Sequence, residues 1–88
     1  MVSPFFEVSG DTRVVLLTTA GCHLCGAARE ALDRVAERTG AAWSEVDVAT
    51  DETLRREYGD RLPVVLLDGR EHGYWNVEED RLAADISR

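Results

Sequence analysis

Cys22 and Cys25 are the whole thiol content of the chain. In a reducing compartment a Cys-x-x-Cys pair is more often redox-active or metal-binding than a structural staple. As a dithiol, one sulfur can attack a substrate disulfide and the other can release the mixed disulfide so formed. As metal ligands, the pair would need company, and with His23 and His72 the sequence offers four soft donors. His23 lies between the cysteines and would point off their face as a helix begins, whereas structural zinc sites usually draw their second pair from a separate knuckle. A cluster shared by two protomers through Cys22, or two inert buried thiols, are the remaining readings, and the latter sits poorly with the only two cysteines falling three residues apart.

The flanking sequence shows what must position the pair. Residues 13–19 (RVVLLTT) are β-branched and apolar on both faces, which suits a central strand covered on both sides. From Cys22 the period changes to that of a helix, with Leu24, Ala28, Ala31, Leu32 and Val35 on one face and Gly40 placed to cap the end. Residues 42–48 alternate as a second strand with Trp43 among the inward candidates. Thr50 or Asp51 can then cap a helix running to Gly59. Pro63 to Leu67 is another buried-type strand, and Asp68-Gly69 is a two-residue hairpin signal. Residues 70–75 return as a partner strand, and Asn76 with Glu79 reads as a capping box for a last helix with Val77, Leu82, Ala83 and Ile86 inside. The order β-α-β-α-β-β-α predicts a three-layer α/β/α sandwich on a mixed four-stranded sheet. Residues 1–12 read as an arm carrying Phe5-Phe6, and residues 13–88 as the domain.

In that frame Cys22 falls at a helix N-terminus, where unpaired N–H groups and the positive end of the macrodipole favour a thiolate. Cys22 is therefore the candidate nucleophile. Cys25, one helical turn on and more covered, is the candidate resolving thiol. Composition narrows the alternatives further. The 88 residues, 44% hydrophobic, make one small domain, and all 10 basic residues are Arg, which excludes Schiff-base chemistry and a Walker-type phosphate loop. A net charge of −7 disfavours nucleic acid and anionic membrane as partners. The start of the chain has no signal-peptide pattern, so a cytoplasmic monomer is expected. Pro63, from composition alone, is expected to follow a trans bond. Of Tyr74 and Trp75, one is expected in the core and the other on a substrate groove. Arg61 reads as a solvated helix-end residue.

The element order, the Gly21-Cys22-His23-Leu24-Cys25 segment and the run from Leu62 to Glu71 (LPVVLLDGRE) together resemble the thioredoxin fold. Within it they most resemble small bacterial glutaredoxin-like proteins, over about residues 13–86. The resemblance implies sheet order 4-3-1-2 with the third strand antiparallel to the first two. It also implies a cis Pro63 whose loop lies against the Cys22 sulfur, and a Leu62 backbone that pairs with an extended substrate. The implied activity is thiol–disulfide oxidoreduction on protein or small-molecule disulfides. Re-reduction would come from a thiol or a flavoenzyme reductase, and no cofactor or metal is implied. The alternative is a non-catalytic module that holds a metal, cluster or peptide at the cysteine site. His23, Leu62, Pro63 and Tyr74 are the expected substrate-binding residues. The sequence departs from the usual glutaredoxin pattern of Cys-Pro-Tyr-Cys, a nearby Lys and a late Gly-Gly. Here His23-Leu24 separates the cysteines, no Lys is present, and the late segment is Gly73-Tyr74-Trp75-Asn76, so glutathione-binding residues do not carry over.

Overall fold

The β-branched apolar run after Arg13 becomes the central strand β1 (Val14–Thr18), all five residues of which are buried. The computed structural model describes residues 13–87, and the arm expected over residues 1–12 lies outside them. Around β1 are assembled α1 (Cys25–Thr39), β2 (Trp43–Asp47), α2 (Glu52–Tyr58), β3 (Val64–Leu67), β4 (Arg70–Tyr74) and α3 (Glu79–Ile86), with a 3₁₀ turn at Val48–Thr50. The sheet order is β2-β1-β3-β4, with β1 parallel to β2 and antiparallel to β3. This is the thioredoxin-like 4-3-1-2 arrangement of the sequence reading.

The two-residue period of β1 divides the interior. Val14 and Leu16 pack with Leu32 and Val35 of α1 and with Leu82, Ala83 and Ile86 of α3. Val15 and Leu17 face the other way, onto Val48 and Leu54. Two helices thus cover one face and one short helix the other. Asp51 caps α2 by accepting from the Leu54 N–H at 3.0 Å, and Gly40 ends α1 at φ 76°, the left-handed conformation that glycine adopts freely. Asp68 and Gly69 both take positive φ (54° and 84°), as the hairpin signal requires.

Two local expectations are corrected, and one irregularity is added. Helix α1 starts at Cys25, not Cys22, because the turn at Gly21 (φ 80°) and a second turn at His23-Leu24 keep Cys22 to Leu24 out of helical hydrogen bonding, with Leu24 as the N-cap. The capping box at α3 does not form: Glu78 is the N-cap, and the Glu79 carboxylate is instead forked by Arg34 of α1 at 2.8 and 3.0 Å. Finally, β4 slips register against Val65 and Leu66, so that His72 is an extra residue in the ladder.

Arginine forks of this kind tie the elements together. Glu45, Asp68 and Glu79 are each held below the ordinary carboxylate range, chiefly by hydrogen bonds from Arg29, Arg13 and Arg34. A carboxylate with a depressed folded-state pKa binds fewer protons than in the unfolded chain. The stability it adds is therefore complete above the ordinary range and is lost as pH falls through it. Thermal unfolding followed from about pH 7 down to about pH 3 should be flat at first and then fall below about pH 4.5. Each pair is exposed and contributes little singly. A transition temperature constant across that window would contradict the assignment.

Candidate active site around the Cys22–Cys25 disulfide

β1 ends at Thr18, and the chain turns through Thr19–Leu24 before α1 begins. Gly21 at φ 80° permits the turn, and the Cys22 N–H donates to the Thr19 carbonyl at 3.3 Å. The end of the strand is anchored from both neighbours. The buried Thr18 hydroxyl donates to Glu45 of β2 at 2.9 Å, and Arg29 of α1 forks the same carboxylate at 2.7 and 2.8 Å. The launch point of the loop is thus fixed to β2 and to the second turn of α1.

Cys22 and Cys25 are joined in a disulfide with their Cα atoms 5.5 Å apart. Since α1 starts at Cys25, it is the turn through His23 and Leu24 that brings the sulfurs together rather than a shared helical face. Cys22 is half-buried, whereas Cys25 is 1% exposed. The first-turn N–H groups of α1 receive no side-chain cap, and no acidic residue lies in that turn. Those groups, with the dipole behind them, favour negative charge on a sulfur immediately ahead of the helix.

Two clefts share Leu24 as a lining residue. One, of about 320 Å³, is lined by Cys22, His23 and Leu24 on one side and by Gly59, Asp60 and Leu62 on the other. The other, of about 180 Å³, runs between α1 and the β4–α3 connection and includes Leu24, Ala27, Ala31, Trp75 and Val77. Of the expected substrate-binding residues, His23 and Leu62 line the first cleft. Pro63 is buried behind it, and Tyr74 lines neither cleft. The Leu62–Pro63 bond is cis, where composition alone suggested trans. The Pro63 carbonyl accepts from the Trp75 N–H at 2.8 Å, which couples this loop to the end of β4. Among the described residues neither backbone group of Leu62 has a backbone partner.

The expectation that Tyr74 or Trp75 enters the core is overturned. They are 48% and 52% exposed and meet edge to face at 5.0 Å. The chain reverses at Trp75, which has φ 67°, and Val77 is the residue of this connection that packs on the core. Arg61 is not simply solvated: it lies 5.3 Å over the Tyr58 ring and forks Glu71 at 3.0 and 3.3 Å. His72 pairs with Asp85 at 2.7 Å, beside a cleft lined by Asp68 and Arg70. Trp75 takes the groove position that the sequence left open between it and Tyr74, and Leu24 is the lining residue that sequence reasoning passed over. Leu24 follows the helical apolar period, which reads as core, and only its place ahead of the first turn exposes it.

Comparison with known proteins gives a consistent result. Residues 13–87 match the family described as glutaredoxin-like domain (DUF836). An uncharacterized protein of Mycobacterium tuberculosis is 49% identical, with 86% of this chain and 84% of that one covered. A structural genomics target from X. campestris, solved by X-ray diffraction, is 33% identical and superposes with a TM-score of 0.67 over 84% of this chain and 95% of its own. A mutant thioredoxin from Halobacterium salinarum is 30% identical with a TM-score of 0.58, over 92% and 78% respectively.

Proposed function

Because the chain belongs to the glutaredoxin-like domain family (DUF836), we propose that it is a dithiol–disulfide oxidoreductase in which Cys22 attacks and Cys25 resolves. The observation that carries this reading is the asymmetry of the pair, a half-buried Cys22 at the mouth of a cleft bonded to a fully buried Cys25. In the reduced protein the Cys22 thiolate attacks a substrate disulfide, forms a new S–S bond and expels one substrate sulfur as a thiolate. The Cys25 thiolate then attacks the Cys22 sulfur, closes the internal disulfide and releases the second substrate thiolate. Two electrons pass to the substrate, and the two protons that neutralise the products come from solvent. The free backbone of Leu62 supports pairing with an extended substrate segment across the first cleft.

The oxidised pair must be reduced again, by a flavoenzyme of the thioredoxin reductase type or by a low-molecular-weight thiol. Glutathione suits this site poorly. Its two carboxylates need cationic partners, the chain has no Lys, and Arg61 is already held by Glu71 and Asp60. The test is steady-state reduction of a protein disulfide by catalytic amounts of this protein. Turnover is expected with a thioredoxin reductase system and little with glutathione plus its reductase. Efficient, saturable use of glutathione would reverse the assignment of donor. No turnover with any reductant, including stoichiometric pre-reduced protein, would sink the activity itself.

A further inference from the structure

The large hydrophobic residues exposed among the described residues are Leu24, Tyr74 and Trp75, at 46%, 48% and 52%. Two of them, Leu24 and Trp75, form opposite walls of the 180 Å³ cleft between α1 and the β4–α3 connection, with Ala27, Ala31 and Val77 completing its apolar lining. Arg34, Asn76 and Glu79 also line the cleft, and its exposed Leu24 and Trp75 side chains are the part that gains by being covered. Leu24 also lines the cleft that holds Cys22, so the two clefts adjoin at this residue and a side chain next to a cysteine bonded at Cys22 is within reach of the second.

Charge narrows the occupant. The cationic side chain at this cleft, Arg34, is forked onto Glu79 at 2.8 and 3.0 Å, and Arg29 on the same helix is forked onto Glu45. A small anionic thiol would find no free guanidinium lining either cleft among the described residues, and the −7 net charge opposes its approach. An uncharged side chain next to a protein cysteine needs no such partner and gains by burial.

We propose that this cleft receives an apolar side chain adjacent to the reactive cysteine of a substrate protein, and that Leu24 and Trp75 thereby select protein disulfides with apolar flanks. The inference rests on the oxidoreductase reading for its substrate and adds the class that the site prefers. Trp75 is suited to the task because its position does not depend on its ring: the backbone N–H is tied to the Pro63 carbonyl, on the loop that follows Leu62.

The test uses two synthetic disulfide-linked peptides, identical except that Leu flanks the cysteine in one and Asp in the other. Single-turnover reduction by pre-reduced protein is followed against peptide concentration. Half-saturation should come at roughly tenfold lower concentration for the Leu peptide, the scale expected for burying one aliphatic side chain. Trp75→Ala and Leu24→Ser should each bring the ratio of half-saturation for the two peptides, read within each variant, close to one. Leu24→Ser keeps the test available if Trp75→Ala folds poorly; its N-cap oxygen also engages first-turn N–H groups of α1, which changes the rate for both peptides alike and leaves their ratio as the readout. Equal half-saturation for the two peptides, or a ratio unmoved by both substitutions, would overturn the proposal and leave the dithiol activity standing.

A second readout does not need turnover. With Trp43→Phe and Cys22→Ser combined, Trp75 is the sole tryptophan, and its emission should shift saturably on titration with the reduced Leu peptide and not with the Asp peptide. If native protein reduces neither peptide, the oxidoreductase reading fails, and this titration alone then decides the cleft.

Discussion

Cys22→Ser is expected to reduce disulfide reduction to the uncatalysed background, while Cys25→Ser is expected to stall at a covalent adduct on Cys22. The two outcomes differ because the sulfurs differ in access. Cys25 is 1% exposed beneath the first turn of α1, out of reach of a substrate disulfide carried on another protein, so the first exchange must fall to Cys22. A serine hydroxyl at Cys22 stays protonated at neutral pH and is no substitute for a thiolate. In Cys25→Ser the first exchange is intact, but the attack that breaks the mixed disulfide has no sulfur to make it. Intact-mass measurement after mixing with a disulfide substrate should show protein plus one substrate thiol for Cys25→Ser and unmodified protein for Cys22→Ser. An adduct on Cys25 in the Cys22→Ser protein would exchange the two roles.

Leu82→Ala should destabilise the fold by about 3–4 kcal/mol, the usual cost of a buried Leu-to-Ala truncation that leaves a cavity. Leu82 is 0% exposed and is one of three buried residues through which the eight-residue α3 attaches to the sheet. The total stability of a domain this size is roughly 4–13 kcal/mol, so the loss is a large share of it. The variant should show a lower urea midpoint with an unchanged denaturant slope. A shift below about 1 kcal/mol would mean that α3 contributes little to the cooperative unit. Because α3 also receives the Arg34 and Arg38 side chains of α1, its loosening should further widen the cleft at Trp75.

Much of this architecture is legible in the sequence. The doubly apolar run at Val14–Leu17, the helical period after Leu24 and the Asp68-Gly69 turn each follow from local rules, and they set the element order and both faces of the core. Cys22 and Cys25 stand out by spacing alone. The errors fall where a choice is made by distant residues. Glu79 could cap its own helix or pair with Arg34, 45 residues away in sequence, and only packing of α3 on α1 decides for the latter. Tyr74 and Trp75 look like core residues by composition, but the chain reversal at Trp75 gives the interior to Val77. The extra residue at His72 in β4 leaves no mark in an alternating pattern already broken by Gly73.

Arg13 reaches in two directions, donating to both carboxylate oxygens of Asp68 and to the main-chain carbonyl of Ile86 at 2.8 Å. The first described strand and the last helix therefore finish side by side, at the end of β1 away from the cysteines. Such a domain is topologically close to a ring. Residues 13 and 87 could be bridged by a short linker and the chain reopened in a surface turn with the sheet intact, since circular permutation needs ends that already lie together. For the same reason a permuted chain would carry its new junction at the pole opposite the reactive sulfurs, away from the site.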